Sequence, residues 1–298
     1  MPDAAPAAQP MQCMEIWGGN QPRTTAMSTP GLDVWVHSTP FAGQRRGGDI
    51  TYVSTCGSGR ISRFAVADVA GHGDSVALLA AKLRRLMRKN INTLDQSRFA
   101  RDLNAEFAAL ADAGRFATAL LTTYFAPTDH LLLVNAGHPR PLLRSAATGR
   151  WRYLDPQSTD RDALKHDDSG ATYWGRGVSN LPLGVIDRTE YEQFAVKLEP
   201  DDLVLLYTDA FIEARDPDGR FLGEAGLLEL VSTHAPRDAA PEQVVPALLA
   251  ATDRHRGGAP ADDDQTLVAL HHNATDPRPL TFRQAARSIA RMVGLARV

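Results

Sequence analysis

The sequence predicts an α+β layered domain, with sheets inside and helix pairs outside. Three observations predict it. Short β-branched and aromatic runs recur along the chain, two stretches of helical periodicity at 74–111 and 222–255 interrupt them, and the connections between runs are mostly of hairpin length, which favours antiparallel pairing. No internal repeat is visible. With 298 residues, 43% hydrophobic and 22% charged, the chain has material for one large domain or two small ones with a sizeable core.

Residues 1–12 are rich in Ala, Pro and Gln and are expected to be disordered. Residues 13–30 carry Trp17 and a Gly18-Gly19-Asn20 turn signal but no clean period, so 1–30 reads as an N-terminal extension without an assigned role. Leu32, Val34 and Val36 alternate as in a half-buried strand. After the glycines at 43, 47 and 48, Asp49 to Thr55 is a second strand and Ile61 to Val69 a third, with Asp68 near its end. Asp74 is the expected N-cap of a helix whose Val76, Leu79, Ala80, Leu83, Leu86 and Met87 make one apolar stripe. Arg84, Arg85, Arg88 and Lys89 crowd its C-terminal end and read as a solvated face that satisfies the helix dipole, with a docking patch as the other reading.

Phe99, Leu103, Phe107 and Leu110 place a second helix near 98–111. Phe116 to Phe125 and His130 to Ala136 are strands joined by a turn at Pro127-Thr-Asp129, and 141–144 with 151–154 forms a hairpin. Residues 155–180 are polar and make a long loop, either functional or disordered. Tyr191 to Leu198 and Asp202 to Asp209 are strands, the second apolar throughout and ending in an acid. Helices follow near 222–233 and 241–255, where Pro246 costs a backbone hydrogen bond. Asp262-Asp263-Asp264 then opens a strand over Thr266 to Leu270. The tail from 273 to 298 is set apart. Thr281 and Gln284 form a capping box, with Phe282, Ala285, Ala286, Ile289, Met292 and Val293 on one face and Arg283, Arg287 and Arg291 on another. That helix reads first as docked on its own domain, then as a dimer or partner contact, and last as a membrane-surface helix.

A net charge of -3 and a pI near 6.3 give no case for nucleic acid as the main partner. Cys13 and Cys56 do not make a disulfide framework. The first residues lack the basic and apolar regions of a signal peptide, and no apolar run approaches the roughly 20 residues of a membrane span. A cytoplasmic location without membrane contact is the expectation.

Four acids share one context: Asp49 at a strand start, Asp68 and Asp209 at strand ends, and the 262–264 triplet at a strand start. Each lies beside an apolar run that holds its backbone while the carboxylate reaches the sheet edge. Clustered carboxylates repel one another, and a divalent cation is the usual remedy. Oxygen ligands select Mg²⁺ or Mn²⁺ over zinc, and two such ions can activate a water and clamp a phosphoryl group. No Gly-x-Ser-x-Gly elbow and no Walker-type phosphate loop appears.

The ordered set Gly47-Gly-Asp49, Asp68-Val-Ala-Gly-His-Gly73, Phe116-Ala-Thr-Ala-Leu120, Asn135-Ala-Gly-His-Pro139, Leu181-Pro-Leu-Gly184, Leu206-Tyr-Thr-Asp209 and Asp263-Asp-Gln-Thr266 resembles the bacterial SpoIIE-like branch of the metal-dependent (PPM) protein serine/threonine phosphatases. Each piece alone is weak, but seven in order over residues 31–272 are specific. The resemblance implies an α-β-β-α sandwich of two antiparallel sheets and a binuclear Mn²⁺/Mg²⁺ site. It implies hydrolysis of phosphoserine or phosphothreonine by a water activated there. Asp49 and Asp68 would bridge or bind the metals, with the Val69 backbone carbonyl as a further ligand. Asp209 and Asp263 would complete the second metal, and Asp264 is the lesser alternative to Asp263. The substrate would be a phosphoprotein, often an anti-anti-sigma-type protein in this branch.

Arg45 and Arg46 could hold substrate phosphate, though a solvated pair is the competing reading. His72 and His138 read as structural. Ala210 stands where the family usually has glycine, which leaves open a pseudophosphatase that binds a phosphorylated partner without hydrolysis. A hydrolase of small phosphoesters is a third reading. Few residues precede the match, so control is expected from a regulatory partner, a homodimer or the C-terminal helix.

Overall fold

In the computed structural model, residues 8–11, 16–56, 59–91, 93, 95–111, 114–156, 180–235 and 239–277 are described. Most of the 155–180 loop, the helix expected over 281–293 and Cys13 lie outside them. The described residues form thirteen strands and four α-helices: β1 (Gln9–Pro10), β2 (Ile16–Gly19), β3 (Arg23–Thr29), β4 (Leu32–Thr39), β5 (Ile50–Cys56), β6 (Ile61–Val69), α1 (Asp74–Lys89), α2 (Gln96–Ala108), β7 (Ala117–Phe125), β8 (His130–Ala136), β9 (Leu142–Arg144), β10 (Trp151–Tyr153), β11 (Gln193–Lys197), β12 (Leu203–Tyr207), α3 (Gly223–His234), α4 (Pro241–His255) and β13 (Gln265–His272).

The strands form two sheets. One has the order β1-β3-β4-β13-β12-β9-β10 and the other β11-β8-β7-β6-β5-β2. Every pairing is antiparallel except the short β1–β3 contact. Alternation along each strand then sorts side chains into three apolar layers. Val34, Val36, Val204, Leu206, Val268 and Leu270 of the first sheet meet Val53, Phe64, Val66, Leu120 and Leu133 of the second between the sheets. On the outer face of the second sheet, Ile50, Tyr52, Ala65, Ala67 and Val69 pack on Val76, Leu83 and Met87 of α1 and Phe99, Leu103 and Phe107 of α2. On the outer face of the first, Leu203, Leu205, Leu267 and Ala269 pack on Leu227 and Val231 of α3 and Val244 and Leu248 of α4. The result is the α-β-β-α sandwich.

Two local expectations change. Residues 16–29, which show no clean period and no assigned role in the sequence, form two strands: β2 closes the edge of one sheet and β3 pairs along β4. Their period is invisible because β2 is four half-buried residues at an edge and β3, Arg-Thr-Thr-Ala-Met-Ser-Thr, lacks apolar alternation. The cap of α1 is Gly73 rather than Asp74. Its φ of 98° suits glycine, and Asp74 is the first helical residue. Helix α4 runs through Pro246, whose missing N–H falls on the solvent side.

Candidate functional site

The apolar layer between the sheets ends in acids and threonines at one mouth of the sandwich. Along β6 the stripe Phe64, Val66 continues to Asp68. Along β5, Val53 and Thr51 lead back to Asp49. Along β12, Val204 and Leu206 continue to Thr208, and along β13, Val268 and Thr266 lead back to Asp264. Antiparallel pairing of β5 with β6 and of β12 with β13 sets all four positions at the same end. The two sheets touch there through Thr208, whose hydroxyl donates to Asp49 Oδ2 at 2.9 Å. Asp49 and Asp264 are buried, 3% and 5% exposed, and Thr208 and Thr266 are fully buried. Asp209 follows in a short 3-10 turn, Asp209–Phe211.

The electrostatics report a crowded set of carboxylates. Burial pushes Asp68 up to about 8, with Asp209, Asp263, Asp264 and Glu213 adding to the shift. Burial, then Glu213 and Asp263, raises Asp209 to about 6. Asp49 is held well above the usual carboxylate range by burial and by Asp68, against the hydrogen bonds from the two threonines. Asp263 is raised too, by burial first, and the Asp264 backbone N–H draws it back. Among the described residues no lysine or arginine forms an ion pair with any of Asp49, Asp68, Asp209, Asp263 or Asp264.

Asp263 and Asp264 have different surroundings. Asp264 Oδ1 accepts from the Phe41 N–H at 2.6 Å, and its Oδ2 from the N–H groups of Gly48 and Asp49 at 2.5 and 3.2 Å. It pins the loop before β5. Gly47 has to be glycine here, because a Cβ would strike that carboxylate. Asp263 gives one oxygen to the Asp264 N–H at 2.7 Å. Gly48 faces a cradle: a Cβ there would lie 2.8 Å from the Val69 carbonyl oxygen and 3.3 Å from Asp68 Oδ1, so these two oxygens look into one small space.

The donor set suits a hard divalent cation by chemistry and charge, being all oxygen, anionic and without basic partners. The carboxylates do not close into a finished cage. Among the described residues no group of three or more His, Cys, Asp or Glu side chains is arranged to hold an ion by itself. The Val69 carbonyl would be a donor outside that set.

Other motif residues support the mouth. Thr118 lies across from Asp68 in the β6–β7 pairing, and its hydroxyl meets His138 Nδ1 at 2.8 Å. Burial lowers His138 to about 3, so it is a neutral structural residue. Asn135 closes the turn on the His138 backbone, with both bonds at 2.7 Å. Ala210 sits in the right-handed turn, buried, and is absent from the residues with positive φ. The conformational reason for requiring glycine there is therefore missing. Arg45 and Arg46 are exposed on the loop before Asp49 and line a groove with Gly73 and Asp74.

Two residues escaped the sequence reading. Glu213 adds to the negative field on Asp68, Asp209 and Asp263 because the 3-10 turn brings it back, its N–H donating to the Asp209 carbonyl at 2.8 Å. Its spacing of four from Asp209 was the available signal. Asn20 holds the Gly47 loop to α1: Nδ2 donates to the carbonyls of Gly47 and Ala77, both at 3.0 Å, and the Gly47 N–H returns to the Asn20 carbonyl at 2.9 Å. Nothing in the sequence near Asn20 signals this long-range contact.

Comparison with known proteins gives the family and the fold. A family model described as stage II sporulation protein E (SpoIIE) matches residues 58–159 and 163–273. That span holds Asp68, Asp209 and Asp263 and begins after Asp49. The phosphoserine phosphatase RsbU of Bacillus subtilis is 25% identical over 172 residues, which is 57% of this chain and 44% of RsbU. The phosphoserine phosphatase RsbP of the same organism is 26% identical over 153 residues, 50% of this chain and 32% of RsbP. The chain thus spans less than half the length of these relatives. In fold it is similar to the RsbU and RsbW domains of Rv1364c from Mycobacterium tuberculosis, with a TM-score of 0.64 at 21% identity over 92% of this chain and 70% of that one. It is also similar to the SiaA-PP2C domain of Pseudomonas aeruginosa, at 0.62 and 20% over 80% and 85%. Among the described residues no helix is long and apolar enough to cross a membrane.

Proposed function

Because this chain belongs to the SpoIIE family of PPM-type phosphatases, we propose that it is a metal-dependent protein phosphatase acting on phosphoserine or phosphothreonine in a signalling phosphoprotein. PPM phosphatases are metal-dependent as a class. One observation carries the reading here: buried carboxylates from both sheets meet at one mouth with no basic partner. Asp49, Asp68 and the Val69 carbonyl would hold one Mn²⁺ or Mg²⁺, and Asp68, Asp209 and Asp263 a second. Asp264 serves as the loop clamp because its oxygens are already engaged by backbone N–H groups. Two such ions, when bound, supply an activated water and Lewis-acid polarisation of the phosphoryl group.

The protein's own groups position that chemistry. Thr208 fixes one oxygen of Asp49, while Arg45 and Arg46, exposed on the loop before Asp49, would hold the substrate phosphate. An anti-anti-sigma-type protein is the proposed substrate class, in the cytoplasm, where a free thiol such as Cys56 stays reduced. A regulatory partner or a second copy of the chain would provide control.

The deciding experiment is turnover of a phosphoserine peptide with Mn²⁺ or Mg²⁺. Activity that chelation removes is expected, and no turnover at any metal concentration sinks the reading. Ala210→Gly should stay within about twofold of wild type, since the turn at 210 is unstrained. A silent wild type revived by that change would instead support the pseudophosphatase. Gly48→Ala should weaken Mn²⁺ binding by about 10- to 100-fold in a calorimetric titration, because its Cβ displaces the Val69 and Asp68 oxygens. An unchanged titration would remove these two oxygens from the metal site.

A further inference from the structure

Beside the acidic mouth lies a surface of opposite sign. A groove of about 410 Å³ is lined by Arg23 of β3, Arg46 of the loop before Asp49, and Arg84 and Arg85 of α1, and by no acid. Among the described residues none of the four makes an ion pair. Arg84 carries a buried Nε without a hydrogen-bond partner, and burial, with Arg23 and Arg88 nearby, lowers its pKa. Complementing the dipole of α1 does not account for this. Three separate elements deliver the guanidinium groups to one place, and like charges gathered without a counter-charge repel.

The groove has room for a chain. Gly18 and Gly19 form part of its wall on β2, the edge strand of its sheet, whose outer side has no strand partner among the described residues. Among the described residues, its chain neighbours aside, nothing lies within 4 Å of where a Cβ of Gly19 would stand. Gln21 and Arg46 also line a second groove, about 1020 Å³, that reaches Arg45, Gly73 and Asp74 beside the candidate site. The only acid lining it is Asp74, and Leu78, 59% exposed, adds an apolar contact. The two grooves share Gln21 and Arg46, so one surface joins the loop residues Arg45, Gly73 and Asp74, close in sequence to Asp49 and Asp68, to the arginine-lined groove at β2.

We propose that this groove reads the substrate: it binds an acidic segment flanking the phosphorylated residue, lying along the β2 edge with its carboxylates on Arg23, Arg46, Arg84 and Arg85. The proposal rests on the phosphatase reading for its link to turnover, and on charge complementarity for the choice of an acidic polypeptide. Several exposed charge pairs acting together give a preference of about tenfold, set in KM and screened by salt.

The test compares phosphoserine peptides whose flanks are acidic, neutral or basic. Wild type should prefer the acidic flank over the neutral one by about tenfold in kcat/KM, through KM, and the preference should fade as ionic strength rises. Arg23→Gln with Arg84→Gln, and separately Arg85→Gln at an exposed position, should bring the acidic-to-neutral ratio down towards one. Equal rates on all three peptides, or a preference that the arginine variants keep, overturns the proposal while leaving the phosphatase reading intact. Binding of a labelled acidic peptide without phosphate, followed by anisotropy, tests the groove apart from chemistry. Binding weakened by the arginine substitutions supports it, and binding that ignores them or is absent overturns it, whatever the turnover assay shows.

Discussion

Asp68→Asn should remove phosphatase turnover by about 10³-fold or more and, in the same protein, raise the stability of the metal-free form at pH 8. The two effects have one cause. Asp68 ends the inter-sheet stripe of β6 beside Asp49, and its carboxyl is pushed up to about 8 by burial and then by Asp209, Asp263, Asp264 and Glu213. As the proposed metal ligand it would have to be charged. Metal ions contribute several kcal/mol of charge stabilisation in phosphoryl transfer, and each 1.4 kcal/mol is about tenfold in rate. In the metal-free protein the same charge is a cost, because it is buried against like charges. Asparagine keeps the shape and removes the charge. Turnover on a phosphopeptide reads the first effect and chemical denaturation in chelator reads the second. A variant that turns over normally, or one less stable than wild type at pH 8, would show that Asp68 is not a strained ligand carboxylate.

The metal-free protein should lose stability as pH rises from 6.5 to 8, and Mn²⁺ should restore it. The sign follows from the direction of the shift. Asp68 ordinarily titrates near 3.8 and is raised to about 8 in the fold, so the folded state holds a proton that the unfolded chain has already released. Its contribution is complete below about pH 4 and is lost as pH climbs through 8. Asp209, raised to about 6, acts the same way lower down. Buried His138 opposes them, since its pKa is lowered to about 3 from 6.5 and its contribution is lost as pH falls below 6.5. Above pH 6.5 that opposition has ended and Asp68 is still titrating. Over this window one such group changes stability by about 2 kcal/mol, a Tm fall of roughly 4–8 °C for a domain of this size. Added Mn²⁺ should raise Tm more at pH 8 than at pH 6.5, because ligands bind deprotonated. A flat or rising Tm in chelator across the window would mean that the carboxylates do not repel as the geometry indicates. Asp68→Asn should flatten the slope.

Most of the sandwich was legible because its periods are strong. The stripe of α1, the alternation of β4 and the continuous apolar run of β12 each carry their own signal, and strand β6 begins and ends where the pattern says, at Ile61 and Val69. Strands β2 and β3 were not legible. Edge position and threonine-rich composition leave them without a stripe, and their stability comes from pairing with β5 and β4 rather than from local preference.

The candidate site divides the same way. Asp49, Asp68, Asp209 and the 262–264 triplet stand out in the sequence because each interrupts or borders an apolar run. What they face, and with what charge, is a property of the two sheets meeting. Only the fold shows that both Asp264 oxygens are taken by backbone amides, that the turn after Asp209 returns Glu213 to the cluster, and that Ala210 needs no left-handed backbone. The arginines at 84 and 85 are the plainest case. Along the helix they are cations in its C-terminal half, and in three dimensions they join Arg23 and Arg46, which the sequence places far away. Periodicity and composition determined the layers and the acids. Tertiary structure decided the partners, because strand order and register depend on contacts between residues that no local pattern links.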